Sequence, residues 1–262
     1  MPGCEDARPA RLHALARDYP DGFIVGEHAH VAGQFIHATA GVMEIRAARH
    51  LWLVPPQRGL WIPPRLAHAF RARGCVSLRT LYIAPGPDAS RLGSATCGFT
   101  VPMLLRALIL RMLDPPVIGD ERRQRRLATV LLDELANLER DGLSLPMPSD
   151  PRLARICAGI LARPGDAHRI DEGARHAGAS IRTLARLSRD ELGCPLSAWR
   201  QQARVLSAVP MLIAGEPVTR IAQTLGYETT GAFSAMFGRL VGMSPRAYQR
   251  SYRVSQHDLA EG

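Results

Sequence analysis

An α+β chain of two domains, β-rich at its N-terminus and all-α at its C-terminus, is the fold class the sequence predicts. Three observations carry that prediction. Short apolar runs punctuated by Gly and Pro fill residues 23–83, the apolar period lengthens to a helical one after Val101, and residues 141–151 (DGLSLPMPSDP) read as a linker before an almost wholly helical remainder. A length of 262 residues accommodates one or two domains of roughly 150 residues.

The strands come first. VMEI at 42–45, LWLV at 51–54, LWI at 60–62 and SLRTLYIA at 77–84 are short and bounded by turn residues, the pattern of a barrel or sandwich. Pro55-Pro56 and Pro63-Pro64 have no N–H to give a central ladder, so they mark corners. Two helices follow, 101–113 and 121–140, broken at Asp114-Pro115-Pro116. On the second, Leu127, Val130, Leu131, Glu134 and Leu138 share a face that Leu132 and Leu135 widen. Such a stripe either packs on its own domain or forms a dimer seam, and a homodimer through 121–140 is one expectation.

In the C-terminal half, a helix, a turn containing Gly and a second helix occur at 170–192 and again at 218–240. Gly178 and Gly226 stand in the turns, where a positive φ is needed. Ser180 in the first unit, and Thr229 or Thr230 in the second, supply the capping oxygen. Helical phase turns Ile181, Leu184, Ala185 and Leu192 inward and leaves Arg182, Thr183, Arg186 and Arg189 outward. In the second unit it turns Phe233, Met236, Phe237 and Leu240 inward and leaves Thr230, Gly231, Ser234, Ala235 and Arg239 outward.

Charge agrees with a polyanionic partner. All 33 basic residues are Arg, against 24 acids, for a net charge of +9. Residues 151–253 hold 15 Arg against 7 acids, whereas residues 1–150 hold 18 against 15. No apolar run reaches the ~20 residues of a membrane span, and the N-terminus lacks a secretory apolar core, so a cytoplasmic protein without a membrane partner is expected. Five Cys without a CxxC pair exclude a disulfide scaffold and a four-cysteine zinc site.

The segments RDELGCPLSAWR and VTRIAQTLGYETTGAFSAMFGRLVGMSPRAY carry the sharpest signal: the C-terminal domain resembles the DNA-binding domain of AraC/XylS-family transcription regulators. The resemblance implies double-stranded DNA as partner and two helix-turn-helix units joined by one long helix over 195–214. In this chain it points to Arg182, Thr183, Arg186, Thr230 and Ser234 for base readout, because Arg forks match guanine acceptors. Ser180, Arg200, Arg204, Arg220, Arg239, Arg246 and Arg250 are expected on phosphates. Gly173 and Ser188 depart from the family's large apolar residues, and Pro210 interrupts the linking helix.

The N-terminal stretch GEHAHVAGQFIHATAG places His28, His30 and Gln34 at even spacing, so an extended strand points them to one face, and GLWIPPRLAHAF adds His68 after a proline corner. This order resembles the metal-binding motifs of the cupin barrel, which implies a cupin-like sensor with these four residues as an effector or metal site. Gln34 stands where cupin enzymes commonly have Glu. A divalent metal held by three His and Gln would keep its charge and favour an anionic effector; the alternative is that the same side chains line a metal-free pocket. His37 is out of phase with the others. Trp52, Trp61 and Tyr82 are either pocket walls or core.

The resulting division is a cupin-like β-barrel sensor over 1–95, a helical extension over 96–141, a linker over 142–151, the DNA-binding domain over 152–253 and a tail over 254–262. The function expected is a DNA-binding transcription regulator controlled by a small-molecule or metal effector, not an enzyme. The alternative is a metal-dependent cupin enzyme, a dioxygenase or isomerase, with a helical appendage; Glu27 lies on the opposite strand phase and offers the histidines no general base.

Overall fold

The computed structural model describes residues 11–114, 117, 119–140, 143–166 and 180–257, with side chains to 252. The chain divides into two compact units, Met1–Ala48 with Trp52–Leu143, and Arg49–Leu51 with Ser144–Gly262.

The first unit is built on two long antiparallel strands, β3 (Gly33–Ala47) and β6 (His68–Ile83). β1 (Leu12–Tyr19) and β2 (Ile24–His28) line up end to end along the other edge of β6. On the far side, β4 (His50–Val54) and β5 (Arg58–Ile62) pair with β3, and β7 (Cys97–Thr100) pairs with β5. The closed barrel expected from the sequence is corrected here: among the described residues the sheet does not close. The two long strands each take two short partners on one edge, so the ladder ends in free edges. β7 also extends the sheet beyond residue 95, into the stretch assigned to the helical extension.

Alternation along β3 and β5 separates two cores. Phe35, Trp61, Leu81, Ile83 and Phe99 face helices α1 (Pro87–Leu92), α2 (Met103–Met112) and α3 (Glu121–Ala136). Ile36, Ala38, Leu60, Ile62, Val76 and Leu78 fill the opposite face. Ala128, Leu131, Leu132 and Leu135 of α3 are buried within this unit. The wide apolar stripe therefore packs on its own domain, and apart from Val130 the outward face carries Arg122, Arg125, Arg126 and Asp133.

In the second unit, β8 (Leu143–Pro146) occupies part of the stretch read as linker, and the Met147 N–H donates to the Arg49 carbonyl at 2.7 Å. Helices α4 (Pro151–Ala162), α5 (Ile181–Leu192), α6 (Leu196–Ile213), α7 (Val218–Thr224), α8 (Thr230–Val241) and α9 (Pro245–His257) follow, numbered among the described residues. α9 runs past residue 253 into the stretch read as a tail. Trp199 on α6 is fully buried and donates its indole N–H to the Pro146 carbonyl. An aromatic cluster of Tyr227, Phe233, Phe237, Tyr248 and Tyr252 ties the turn after α7 to α8 and α9. The stretch expected to form the first helix and turn of the first helix-turn-helix, with Gly173 and Gly178, lies outside the described residues. Ser188 is fully buried and satisfies its hydroxyl by donating to the Leu184 carbonyl within its own helix, which explains how a polar residue replaces an apolar one there.

Candidate nucleic-acid interface and histidine cluster

Two helix N-termini reach the surface of the second unit with caps in place. Ser180 accepts the Thr183 N–H at 3.1 Å and starts α5; Thr229, rather than Thr230, accepts the Ala232 N–H and starts α8. On α5, Arg182, Arg186 and Arg189 are exposed and, with Ser180, Thr183 and Asp190, line an open groove. Arg186 pairs with Asp190 at 3.4 Å, an exposed contact of little energetic consequence. On α8, Gly231 and Ala235 are exposed, while Thr230 and Ser234 are half-buried.

Two face assignments change. Ile181, expected inward, is 75% exposed, and Leu240 is 40% exposed, because each falls at the end of its helix where no neighbour covers it. Leu187 takes the inward place on α5.

The expected phosphate contacts divide into two groups. Arg220, Arg239, Arg246 and Arg250 are exposed. Arg220 lies 3.9 Å from Glu216 and Arg239 donates to Gln201, while Arg246 and Arg250 line a hollow with Pro217, Val218 and Thr219. Arg200 and Arg204 depart from the sequence expectation. Arg200 donates to the Asp166 carbonyl at 2.6 Å; Arg204 donates to the Pro164 carbonyl at 3.0 Å and lies 4.8 Å over the Tyr227 ring. Both clamp the segment after α4 to the domain's own core. A charge count in sequence does not reveal which acceptor a guanidinium faces.

In the first unit, His28, His30 and His68 come together, with their ligand atoms within 4.8 Å of one another. The route differs from the one read in sequence. β2 ends at His28, which pairs directly with His68 across the ladder after a bulge, and His30 sits in the turn that leads into β3. The cluster is thus assembled by a turn, not by one extended strand. Each Nδ1 lies against a backbone carbonyl: Gly26 for His28, Ala32 for His30 and Leu66 for His68. A carbonyl only accepts, so each Nδ1 carries a hydrogen. Gln34 completes the group, with Oε1 3.0 Å from His30 Nε2.

Thr80, which sequence reasoning missed, and Tyr82, one of the expected pocket walls, hold Gln34. Its amide N–H groups reach the Thr80 hydroxyl at 3.0 Å and the Tyr82 hydroxyl at 3.2 Å. Tyr82 also sets its ring edge-on to His30 at 5.1 Å, whereas Trp61 is core and donates to the Gly93 carbonyl. The side chains fit a divalent ion: imidazole nitrogens and an amide oxygen are donors of the kind late first-row ions take. Burial pushes His68 down to about 4. His37 is apart from the cluster, fully buried with Nδ1 donating to the Arg58 carbonyl, and burial likewise holds it at about 4.

Comparison with known proteins decides the family. The family described as "AraC-like ligand binding domain" matches residues 12–177, and "Helix-turn-helix domain" matches residues 174–251. The chain belongs to the AraC family of transcriptional regulators. Like other members, this AraC-family chain joins a ligand-binding domain to a DNA-binding helix-turn-helix domain. It is 33% identical over 222 residues to the HTH-type transcriptional regulator NimR of Escherichia coli (strain K12), a match spanning 84% of this chain and 81% of NimR. The arabinose operon regulatory protein of the same organism is 27% identical over 146 residues, 54% of this chain and 50% of that protein. ToxT from Vibrio cholerae aligns over 92% of this chain and 98% of its own at 7% identity, with a TM-score of 0.38, too loose a likeness to argue from. NimR and the arabinose operon regulatory protein are both named as regulators. No helix among the described residues is long and apolar enough to cross a membrane.

Proposed function

We propose that this AraC-family regulator reads DNA sequence through Arg182, Thr183 and Arg186 on α5 and Thr230 and Ser234 on α8, and that an effector captured at His28, His30, Gln34 and His68 controls it. The single observation carrying the DNA assignment is the exposed, capped N-terminal turn of α5, whose arginines stand free of any buried partner. A guanidinium there can meet a guanine edge with both forks. Ser180 shares its cap with any phosphate approaching the helix N-terminus, and Arg220, Arg239, Arg246 and Arg250 supply the sequence-independent attraction.

The second part rests on the histidine cluster as the concentrated polar site of the ligand-binding domain. A small molecule or metal ion bound there acts on transcription only by favouring one state of the protein over another. We place homodimer formation on residues 121–140. Since the apolar stripe of α3 is inside its own domain, the outer face with Arg122, Arg125, Val130 and Asp133 makes that contact.

The test is binding of the full chain to DNA selected from a random pool. Wild type is expected to enrich a defined motif, and Arg182→Ala with Arg186→Ala to lose it while keeping the same melting temperature. Enrichment of the same motif by the double variant would remove α5 from base readout.

A further inference from the structure

We infer that Glu191, at the C-terminal end of α5, is a positioning residue for base readout, and that Arg49, from the turn between β3 and β4, completes its anchor. This role rests on the assignment of α5 to DNA reading and adds to it the contact that aims the helix. Nine residues separate Glu191 from Arg182, about two and a half turns, so the two side chains leave opposite faces of α5. Glu191 therefore acts from behind the reading surface. An acid in the last turn also opposes the helix dipole, so the stability of α5 by itself does not account for a glutamate there.

The carboxylate takes up the donors at the start of α4. Its Oε2 accepts the Ser149 N–H at 2.5 Å and the Ser149 hydroxyl at 2.9 Å, and the Asp150 N–H lies 3.2 Å from both carboxylate oxygens. Asp150 in turn caps α4 by accepting the Arg152 N–H at 2.9 Å, and Pro146 just upstream accepts the Trp199 indole N–H at 2.7 Å. The end of α5 is thus fixed to a backbone that is itself held on α4 and α6. Arg49 belongs to the same compact unit, although the chain up to Ala48 and from Trp52 belongs to the other. Its carbonyl accepts the Met147 N–H, and its Nη2 lies 3.1 Å from both Glu191 Oε2 and Ser149 Oγ. The Ser149 hydroxyl donates to Glu191 and accepts from Arg49, so all three groups are satisfied together. Ala48 and Arg49 stand at φ +50° and +60°, a two-residue turn that ordinarily favours Asn-Gly, yet the position holds an arginine that reaches Glu191.

Geometry converts this anchor into selectivity. Along α5 the anchored end lies about 13 Å from Arg182 at 1.5 Å per residue, so a tilt of about 5° moves Arg182 by about 1 Å, twice the roughly 0.5 Å that a precise contact tolerates. Attraction to phosphates is sequence-independent and survives such a shift. Loss of the anchor lowers discrimination between DNA sequences and spares general affinity.

The experiment measures, on the full chain, affinity for DNA selected from a random pool and for unrelated DNA by fluorescence anisotropy, at a temperature where circular dichroism finds every variant folded. Glu191→Ala should lower the ratio of the two affinities about 10-fold, with affinity for unrelated DNA kept. Arg49→Ala, at an exposed side chain that leaves the fold intact, should lower it about 3-fold and add nothing in the Glu191→Ala background. Arg49→Lys should restore the ratio, because a single nitrogen serves both acceptors. Arg182→Ala with Arg186→Ala is measured alongside. Loss of the ratio in that double variant, with the ratio retained in Glu191→Ala or both DNAs weakened equally by it, overturns the proposal alone. Retention in the double variant overturns the α5 reading and the proposal with it. Arg49→Ala weakening both DNAs equally, with a lower salt slope, would make Arg49 a phosphate contact and remove it from the anchor.

Discussion

Replacing Gly226 by Ala isolates how tightly the second helix-turn-helix is set against the rest of its domain. Gly226 sits in the turn at φ +74°, where an L-residue costs about 1–2 kcal/mol. A Cβ there would also collide with the Gly165 carbonyl oxygen and lie 2.9 Å from its carbon. Neither group is the end of a flexible side chain. The Gly165 side is equally crowded, since a Cβ on it would meet the Thr224 carbonyl, and Arg200 and Arg204 hold the flanking carbonyls of Asp166 and Pro164. Forcing the two backbones apart adds an overpacking cost of about 1–3 kcal/mol, for a total of about 2–5 kcal/mol. Gly193→Ala provides the control. Its φ is +69° with nothing within 4 Å, so it carries the conformational cost alone. Urea unfolding followed by far-ultraviolet circular dichroism should give Gly226→Ala a distinctly lower midpoint than Gly193→Ala. Equal losses would refute the backbone-to-backbone contact.

Arg204→Ala should destabilise the second unit by about 1–2 kcal/mol through the lost carbonyl bond and ring contact, yet leave the salt dependence of DNA binding unchanged. Arg246→Ala and Arg250→Ala should do the opposite, each lowering the slope of log affinity against log salt by about 0.9 with the unfolding midpoint held, as read by anisotropy titrations at several salt concentrations. Arg182→Ala should cost about 1–3 kcal/mol on the selected motif and much less on unrelated DNA; an equal loss on both would make it a phosphate contact. For His37, the folded value of about 4 lies below the ordinary 6.5, so between those values the unfolded chain holds the extra proton and stability falls as pH drops. At pH 5 this amounts to about 2 kcal/mol, and a His37→Leu variant should lose that part of the pH dependence in urea titrations at pH 7 and pH 5.

The sequence made the reader domain more legible than the sensor, for a physical reason. Caps, turn glycines and helical phase are local, and Ser180, Thr229 and Gly226 perform the parts their residue types imply. Errors arose where burial depends on distant neighbours: Ile181 and Leu240 sit at uncovered helix ends, and Arg200 and Arg204 face backbone carbonyls that no local pattern announces. β1 escaped detection because, past Leu12, it is largely unburied and shows no apolar alternation. β8 was hidden in a Pro- and Ser-rich stretch that reads as linker. His28 and His30 were found by period-two spacing, although a turn after β2 is what joins them. Thr80 carries no motif and Tyr82 reads equally as pocket wall or core; the pairing of β3 with β6, which sets Gln34 opposite Tyr82, brings both to the site.

Genome-wide mapping of the sites this protein occupies in its own cells tests the central claim most directly. Sequence-specific reading through two helix-turn-helix units predicts discrete sites sharing a two-part motif, its halves about one helical turn (10–10.5 bp) apart, and their loss in the Arg182→Ala, Arg186→Ala variant. Occupancy spread evenly along the chromosome, or discrete sites that the variant retains, would contradict it.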